Sequence, residues 1–185
     1  MDGFPEGIFL NGTVGVGKTT VAVCIGQALQ QLGIAHAVID LDAIRRAWPP
    51  PAGDRFNHEL ELVNLASLVE NYADAGIGTF VMAGVIEEAG EIERYRRALQ
   101  GRPFGICRIT ADASVLRTRL TSRHRGDPDG LRWHLKRAVE LDSILVKRSL
   151  DDFVVDSSNR PAESVAQEIL ACLQGDLQPS ASRLS

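Results

Sequence analysis

Lysine is nearly missing from this 185-residue chain: of 20 Lys and Arg together, only Lys18, Lys136 and Lys147 are lysine. The 24 Asp and Glu outnumber these cations and leave a formal net charge of -4. That balance excludes a general nucleic-acid binder, which carries a basic surplus along one face. Any positive site must therefore be local. Cysteine is equally sparse. Cys24, Cys107 and Cys172 are odd in number, far apart and without the CxxC pairing of zinc or thiol-redox motifs. They are expected as reduced core residues of a cytoplasmic protein. No apolar run approaches the roughly 20 residues that span a bilayer. The opening Met1-Asp2-Gly3-Phe4-Pro5-Glu6 is acidic where a signal peptide is basic. Neither a membrane segment nor a secretory leader is expected.

Hydrophobic residues make up 44% of the sequence, enough for packing alone to hold a fold of this length. Five short, nearly continuous apolar runs stand out: 7–10, 35–39, 79–83, 104–109 and 153–155. Strands buried on both faces have this composition. Helical stripes lie between them, one through Val21, Ile25, Ala28, Leu29 and Leu32, another through Leu62, Leu65, Ala66, Val69 and Ala73. A last helix opens at Pro161 and carries Ala162, Val165, Ala166, Ile169, Leu170 and Leu173 on its inner side. Alternating strands and helices predict an α/β fold, a parallel five-stranded sheet with helices on both faces, because parallel strands need crossover connections. One domain is expected over residues 4–174. Residues 175–185, rich in Gly, Pro, Ser and Gln, are expected to form a disordered tail.

The first run leads into Gly12-Thr13-Val14-Gly15-Val16-Gly17-Lys18-Thr19, followed by Thr20. Gly, four residues, then Gly-Lys-Thr is the P-loop (Walker A) pattern, and its spacing has a chemical reason. Glycines admit backbone conformations that bring several N–H groups onto one anion. A helix starting near Gly17 adds the positive end of its dipole, Lys18 reaches the outer phosphates, and the Thr19 hydroxyl can serve Mg²⁺. One of only three lysines stands where the motif demands lysine. ATP and Mg²⁺ are the expected cofactors.

Asp40 and Asp42 follow the second run, at the carboxyl end of a parallel strand where open α/β sheets place ligands. One can hold Mg²⁺ through water while the other accepts a proton from an attacking hydroxyl, or either can cap the helix around Ile44 and Arg45. Which acts as base stays open. The segment 12–19, with Asp40-Leu41-Asp42-Ala43-Ile44-Arg45 and Asp54-Arg55-Phe56-Asn57, resembles the adenylylsulfate kinase pattern of Asp-Gly-Asp-x-x-Arg and Asp-Arg-x-x-Asn over about residues 7 to 100. The resemblance implies that Asp42 lies near the acceptor hydroxyl and Arg45 contacts an anionic group of the acceptor. Leu41 stands where that pattern has Gly, Ala83-Gly84-Val85-Ile86 where it has Ile-Ser-Pro, and Asn57 one position early. Beyond residue 100 the chain is more similar to gluconate kinase, shikimate kinase and the chloramphenicol phosphotransferases, all P-loop small-molecule kinases.

Arg117, Arg119, Arg123 and Arg125 crowd a helix that ends in the turn-rich His124 to Gly130 stretch. Such a segment is read as an arginine-rich lid that excludes water and supplies cations to a phosphoryl group in transit. Arg119 is assigned to adenine, and Arg123 or Arg125 to the phosphates. Asp40, Asp42, Arg45 and Arg55 are assigned to the acceptor, with Trp48-Pro49-Pro50-Pro51 shaping its pocket, and Thr19 and Asp40 to the metal. His134 is read as a surface residue, Asp156 to Pro161 either as the segment that in similar kinases contacts the adenine rim or as a cap of the last helix through Ser158 or Asn159, and His58, Glu59 and Glu61 as a polar helix face. Glu87 and Glu88 are read as first-turn acids. The reading is an ATP-dependent phosphotransferase acting on a hydroxyl of a small molecule, without nucleic-acid or membrane partners and compatible with a homodimer. A nucleoside monophosphate kinase and an ATP-binding module without transfer activity are the alternatives. A GTP switch is disfavoured, as no Asn is followed by Lys.

Overall fold

The computed structural model describes residues 4–175. Five strands, β1 (Gly7–Asn11), β2 (His36–Asp40), β3 (Thr79–Ala83), β4 (Gly105–Thr110) and β5 (Phe153–Asp156), form one parallel sheet in the order β2-β3-β1-β4-β5. All four strand pairings are parallel, with Phe9 opposite Met82 and Leu10 opposite Cys107 at the centre. The expected sheet is present, with edges displaced by about one residue: Ala35 and Phe104 precede their strands, while Asn11, Asp40, Thr110 and Asp156 extend them. Those four polar residues are one-sided punctuation that an apolar pattern cannot detect.

Side chains alternate between two cores, as the two-residue period of a strand requires. Ile8, Leu10, Val81, Cys107 and Ile109 point to one face, covered by α1 (Lys18–Gln31) and α7 (Ala162–Gln174). Phe9, Phe80, Met82 and Ile106 point to the other, covered by α3 (His58–Asp74) and α4 (Ala89–Ala98). Both faces being dry explains why β1 and β3 are buried at every position. The remaining helices are the single turn α2 (Leu41–Ile44), α5 (Ala113–Arg123) and α6 (Pro128–Arg148).

Several local expectations need correction. Leu32 is 59% exposed because it is the C-cap of α1, where Gly33 turns the chain away at φ 70°. Pro161 precedes α7 in an extended conformation, and no side chain caps that helix. The Ser158 hydroxyl instead donates to Asp156 and accepts the Asp112 N–H. Cys24 and Cys107 are buried and Cys172 partly so, all three as free thiols. Among the described residues no helix is long and apolar enough to cross a membrane. The proposed tail lies, apart from Gly175, outside the described residues.

Strand order positions the site. The chain runs from β1 to β2 on one side, returns to β3 beside β1, and then passes to β4 on the other side. The carboxyl end of β1 is thus the switch point where open α/β sheets bind ligands. The loop 12–17 emerges there, with Asp40 and Asp42 at the end of β2 and Val85 to Glu88 at the end of β3.

Candidate active site

The loop between β1 and α1 is built for close approach of an anion. Gly12, at φ 139°, passes so near β4 that a Cβ would stand 2.4 Å from the Ile109 carbonyl oxygen. Gly17, at φ 99°, caps α1 in a left-handed conformation with open space on its Cβ side. No side chain caps α1 and its first turn contains no acid, so the amino-terminal amides and the positive dipole end stay available to a ligand. Asn11 stiffens the base: its amide accepts from the Gly12 and Ile86 N–H groups and donates to Asp151 and to the Ile86 carbonyl.

Lys18 folds back over this cradle, its Nζ donating to the carbonyls of Gly12 at 2.7 Å and Thr13 at 3.1 Å. Desolvation lowers its pKa to about 8, against the opposing pull of Asp42 and Asp40. Among the described residues it has no carboxylate partner in ion-pair contact, so the loop holds a partly dehydrated cation next to free amides. A polyphosphate would supply the missing charge. Thr19 Oγ1 donates to Asp40 Oδ2 at 2.9 Å, while Asp40 Oδ1 accepts from the Ala43 N–H at 3.2 Å. Asp40 therefore acts as the helix cap weighed for it and in addition accepts the loop hydroxyl, a contact the sequence did not suggest. A hydroxyl and a carboxylate side by side are hard oxygen donors, a set that fits Mg²⁺.

A cavity of about 790 Å³ opens from the loop. Of the residues expected at the nucleotide, Val14 to Thr20 and Arg119 line it, whereas Gly12 and Thr13 lie beneath. The Thr13 hydroxyl is turned away and donates to the Ala138 carbonyl of α6. Arg119 donates to the Val16 carbonyl and to both oxygens of Ser157, tying α5 to the loop and to the turn after β5. Arg123, the last residue of α5, lines the cavity, whereas Arg125 lies beyond the helix in the following turn and does not. Arg117 is likewise exposed and outside.

Asp40, Asp42 and Arg45 line the same cavity, but Arg55 does not. Its guanidinium lies 5.5 Å from the Phe56 ring, and Phe56 takes the place in the wall. Trp48 is 90% exposed and its proline neighbours are outside as well. Asn57 is buried at φ 55° and donates to the carbonyls of Arg45 and Ala47, fixing the chain that carries Arg45.

Beneath Arg45 the polar-face expectation fails. Glu61 is 1% exposed, accepts the Tyr95 hydroxyl at 2.5 Å and pairs with Arg45 Nη1 at 3.1 Å. Burial pushes its carboxyl above the usual range, opposed by Tyr95 and Arg45, and pushes the Tyr95 phenol up strongly. Arg45 also pairs with Asp42. Glu61 precedes Leu65 and Val69 at four-residue steps, so its place on the buried stripe was legible as an acid in an apolar register. His134 is also corrected: it lines the cavity, with its Nδ1 at 2.7 Å from the Gly130 carbonyl and its ring 4.2 Å from that of His124. Trp133, Arg137 and Leu141, at i, i+4 spacing, line the same wall, and Arg137 pairs with Glu87. Neither Glu87 nor Glu88 lies in the first turn of α4 as read: Glu88 is its N-cap, in a reciprocal box with Glu91, and Glu87 precedes it and lines the cavity.

Comparison with known proteins agrees with this geometry. The adenylylsulphate kinase family model matches residues 5–87. A probable adenylyl-sulfate kinase from Pyrococcus abyssi is 26% identical over 179 residues, covering 92% of this chain and 94% of that protein. The tunicamycin resistance protein of Deinococcus radiodurans superposes with a TM-score of 0.64 at 21% identity, covering 92% of this chain and 95% of its own. A gluconokinase from Sinorhizobium meliloti gives 0.60 at 20% identity, with 92% of each chain covered. Adenylylsulfate and shikimate kinases are among the further structures sharing the fold. Fold and site are similar to those of the P-loop small-molecule kinases among these proteins.

Proposed function

We propose that this chain transfers the γ-phosphoryl group of ATP to a hydroxyl of a small molecule. The observation that carries the reading is the juxtaposition at the carboxyl ends of β1 and β2. An uncapped glycine loop with a partly dehydrated Lys18 lies beside the Thr19–Asp40 hydrogen bond, and Asp42 lines the same cavity. Relatives named as kinases of an adenylylated sulfate and of gluconate support transfer to an alcohol.

In this reading the amides of residues 15–19 and the Lys18 ammonium hold the β- and γ-phosphates. Thr19 and Asp40 would hold Mg²⁺, which neutralises charge on the phosphate oxygens when bound. Asp42, attached to the rigid β2 end and steered by Arg45, orients the acceptor hydroxyl and takes its proton as the oxygen–phosphorus bond forms. The bond to the β–γ bridging oxygen breaks and ADP departs. Arg123 approaches the transferring group, and Arg119 borders the nucleotide from α5. The turn joining α5 and α6 would act as the lid. Because phosphoryl transfer needs little covalent chemistry from a protein, positioning and electrostatics suffice.

The test is ATP consumption, with mass-spectrometric identification of product, across a panel of hydroxyl-bearing metabolites and antibiotics, for the native chain and Asp42→Asn. Turnover by the native chain alone supports the reading. ATP binding with no turnover on any acceptor, and binding unaltered in the variant, would favour a nucleotide-binding module.

A further inference from the structure

Cations are distributed unequally along the cavity. At the nucleotide end Lys18, Arg119 and Arg123 have no carboxylate within ion-pair distance among the described residues; Lys18 and Arg119 spend their donors on backbone carbonyls and Ser157. At the opposite end, bounded by α2, α3 and α6, the arginines are already satisfied. Arg45 is held between Asp42 and the buried Glu61, and Arg137 between Glu87 and Glu140, the latter at 3.6 Å.

Two further facts fix the sign of this end. Glu61 cannot swing into water, since it is 1% exposed and receives the Tyr95 hydroxyl, so part of the Arg45 charge stays compensated internally whatever enters. Glu91 adds another carboxylate to the wall, its Oε2 accepting from the Glu87 and Glu88 N–H groups. Arg46 is the exception, an exposed rim residue without a carboxylate partner among the described residues; there water screens its charge. An incoming carboxylate, sulfate or phosphate would therefore meet four carboxylates, Asp42, Glu61, Glu87 and Glu91, against three guanidinium groups, Arg45, Arg46 and Arg137, with His58 lying 3.6 Å from Glu91, and low-dielectric walls strengthen the net repulsion. The same walls carry Phe56 and Trp133, 54% and 48% exposed, large faces suited to a flat or apolar ligand.

We propose that the acceptor is an uncharged or cationic hydroxyl compound with a flat or apolar portion, and that alcohols bearing carboxylate, sulfate or phosphate groups are poor acceptors. The proposal rests on the kinase reading above and gives its substrate class. It separates the chain from kinases whose acceptor is an anion, although the loop and the Asp40 to Arg45 segment follow the adenylylsulfate kinase pattern.

The experiment has two arms. The first measures binding of a non-hydrolysable ATP analogue with Mg²⁺; if none binds, the kinase reading itself falls. The second uses the analogue-saturated protein for binding and ATP for turnover, with matched pairs: shikimate and its methyl ester, gluconate and glucitol, adenylylsulfate and adenosine, plus a panel of neutral and aminated hydroxyl compounds. The expected result is a neutral or cationic acceptor at least about tenfold better in kcat/KM than any anion. Glu87→Gln, which leaves Arg137 only its longer 3.6 Å contact with Glu140, should tighten anion binding by about tenfold. Preference for the anion in any pair, no turnover of any neutral or cationic compound, or anion binding unchanged in Glu87→Gln would overturn the proposal while leaving nucleotide binding intact.

Discussion

The lowered pKa of Lys18 makes nucleotide binding a proton-linked event. In the free protein desolvation brings the ammonium down to about 8 from the usual 10.5, whereas a bound polyphosphate stabilises the charged form and returns it toward or above the usual value. At pH 8 half of the free molecules have lost the proton, so binding takes up about 0.5 proton; at pH 9 it takes up about 0.9, and at pH 7 only about 0.1. Affinity for ATP should accordingly weaken about tenfold for each pH unit above 8. The assay is calorimetry of ATP–Mg²⁺ binding in pairs of buffers with different ionisation enthalpies, from pH 7 to 9.5. The slope of apparent enthalpy against ionisation enthalpy gives the proton number. Lys18→Met should show no uptake in this range. A native chain with zero uptake at pH 9, or a variant with the same uptake as native, would refute the reasoning. Linkage also sets a sign for the unliganded chain. Its unfolded state retains the lysine proton up to about 10.5 while the folded state releases it near 8, so this group makes stability rise with pH between those values.

Asp42→Asn should lower kcat by about 10² to 10⁴ while ATP affinity stays within a few fold, measured by steady-state turnover and by calorimetry; ordinary turnover removes Asp42 from its role. Thr19→Ala, which deletes the hydroxyl bonded to Asp40, should raise the Mg²⁺ concentration for half-maximal activity by about tenfold, and an unchanged Mg²⁺ titration contradicts the metal assignment. Glu61→Ala leaves Arg45 without its buried partner and Tyr95 without an acceptor. Arg45 keeps Asp42, so the cost is mainly that of the buried phenol left without an acceptor, about 1–3 kcal/mol, a fall in Tm of about 5 °C for a chain of this size, read by thermal unfolding. Tyr95→Phe, which removes one hydrogen bond to the same carboxylate, should cost about 1–3 kcal/mol.

What was legible in the sequence follows the range of the interactions involved. The centre of the sheet could be read because β1 and β3 are dry on both faces, so their apolar runs need no knowledge of neighbours, and the partly exposed β2, β4 and β5 keep enough apolar residues to stand out. The phosphate loop could be read because its geometry is local: glycines at φ 139°, 88° and 99° lie within six residues. Asp40 and Asp42 followed from parallel topology, which brings strand ends to one side. Pairings across long separations were not legible. Arg137 meets Glu87 from fifty residues away, and Arg119 meets Ser157 from thirty-eight. Choosing Arg123 over Arg125, or Phe56 over Arg55, required the rotation of a helix or loop that composition does not state. Leu41 illustrates a packing cause behind a motif departure. It is buried, and a Cβ at Gly84 would stand 2.4 Å from its Cδ1. Two of the three places where the chain leaves the adenylylsulfate kinase pattern thus meet in one contact.

The most direct test is a crystal structure with a non-hydrolysable ATP analogue and Mg²⁺ bound. The account predicts β-phosphate oxygens within hydrogen-bond distance of the N–H groups of residues 15–19, Lys18 Nζ moved from the Gly12 carbonyl onto the phosphates, and the metal beside Thr19 and Asp40. A nucleotide bound elsewhere, or a loop left empty at saturating analogue, would contradict it.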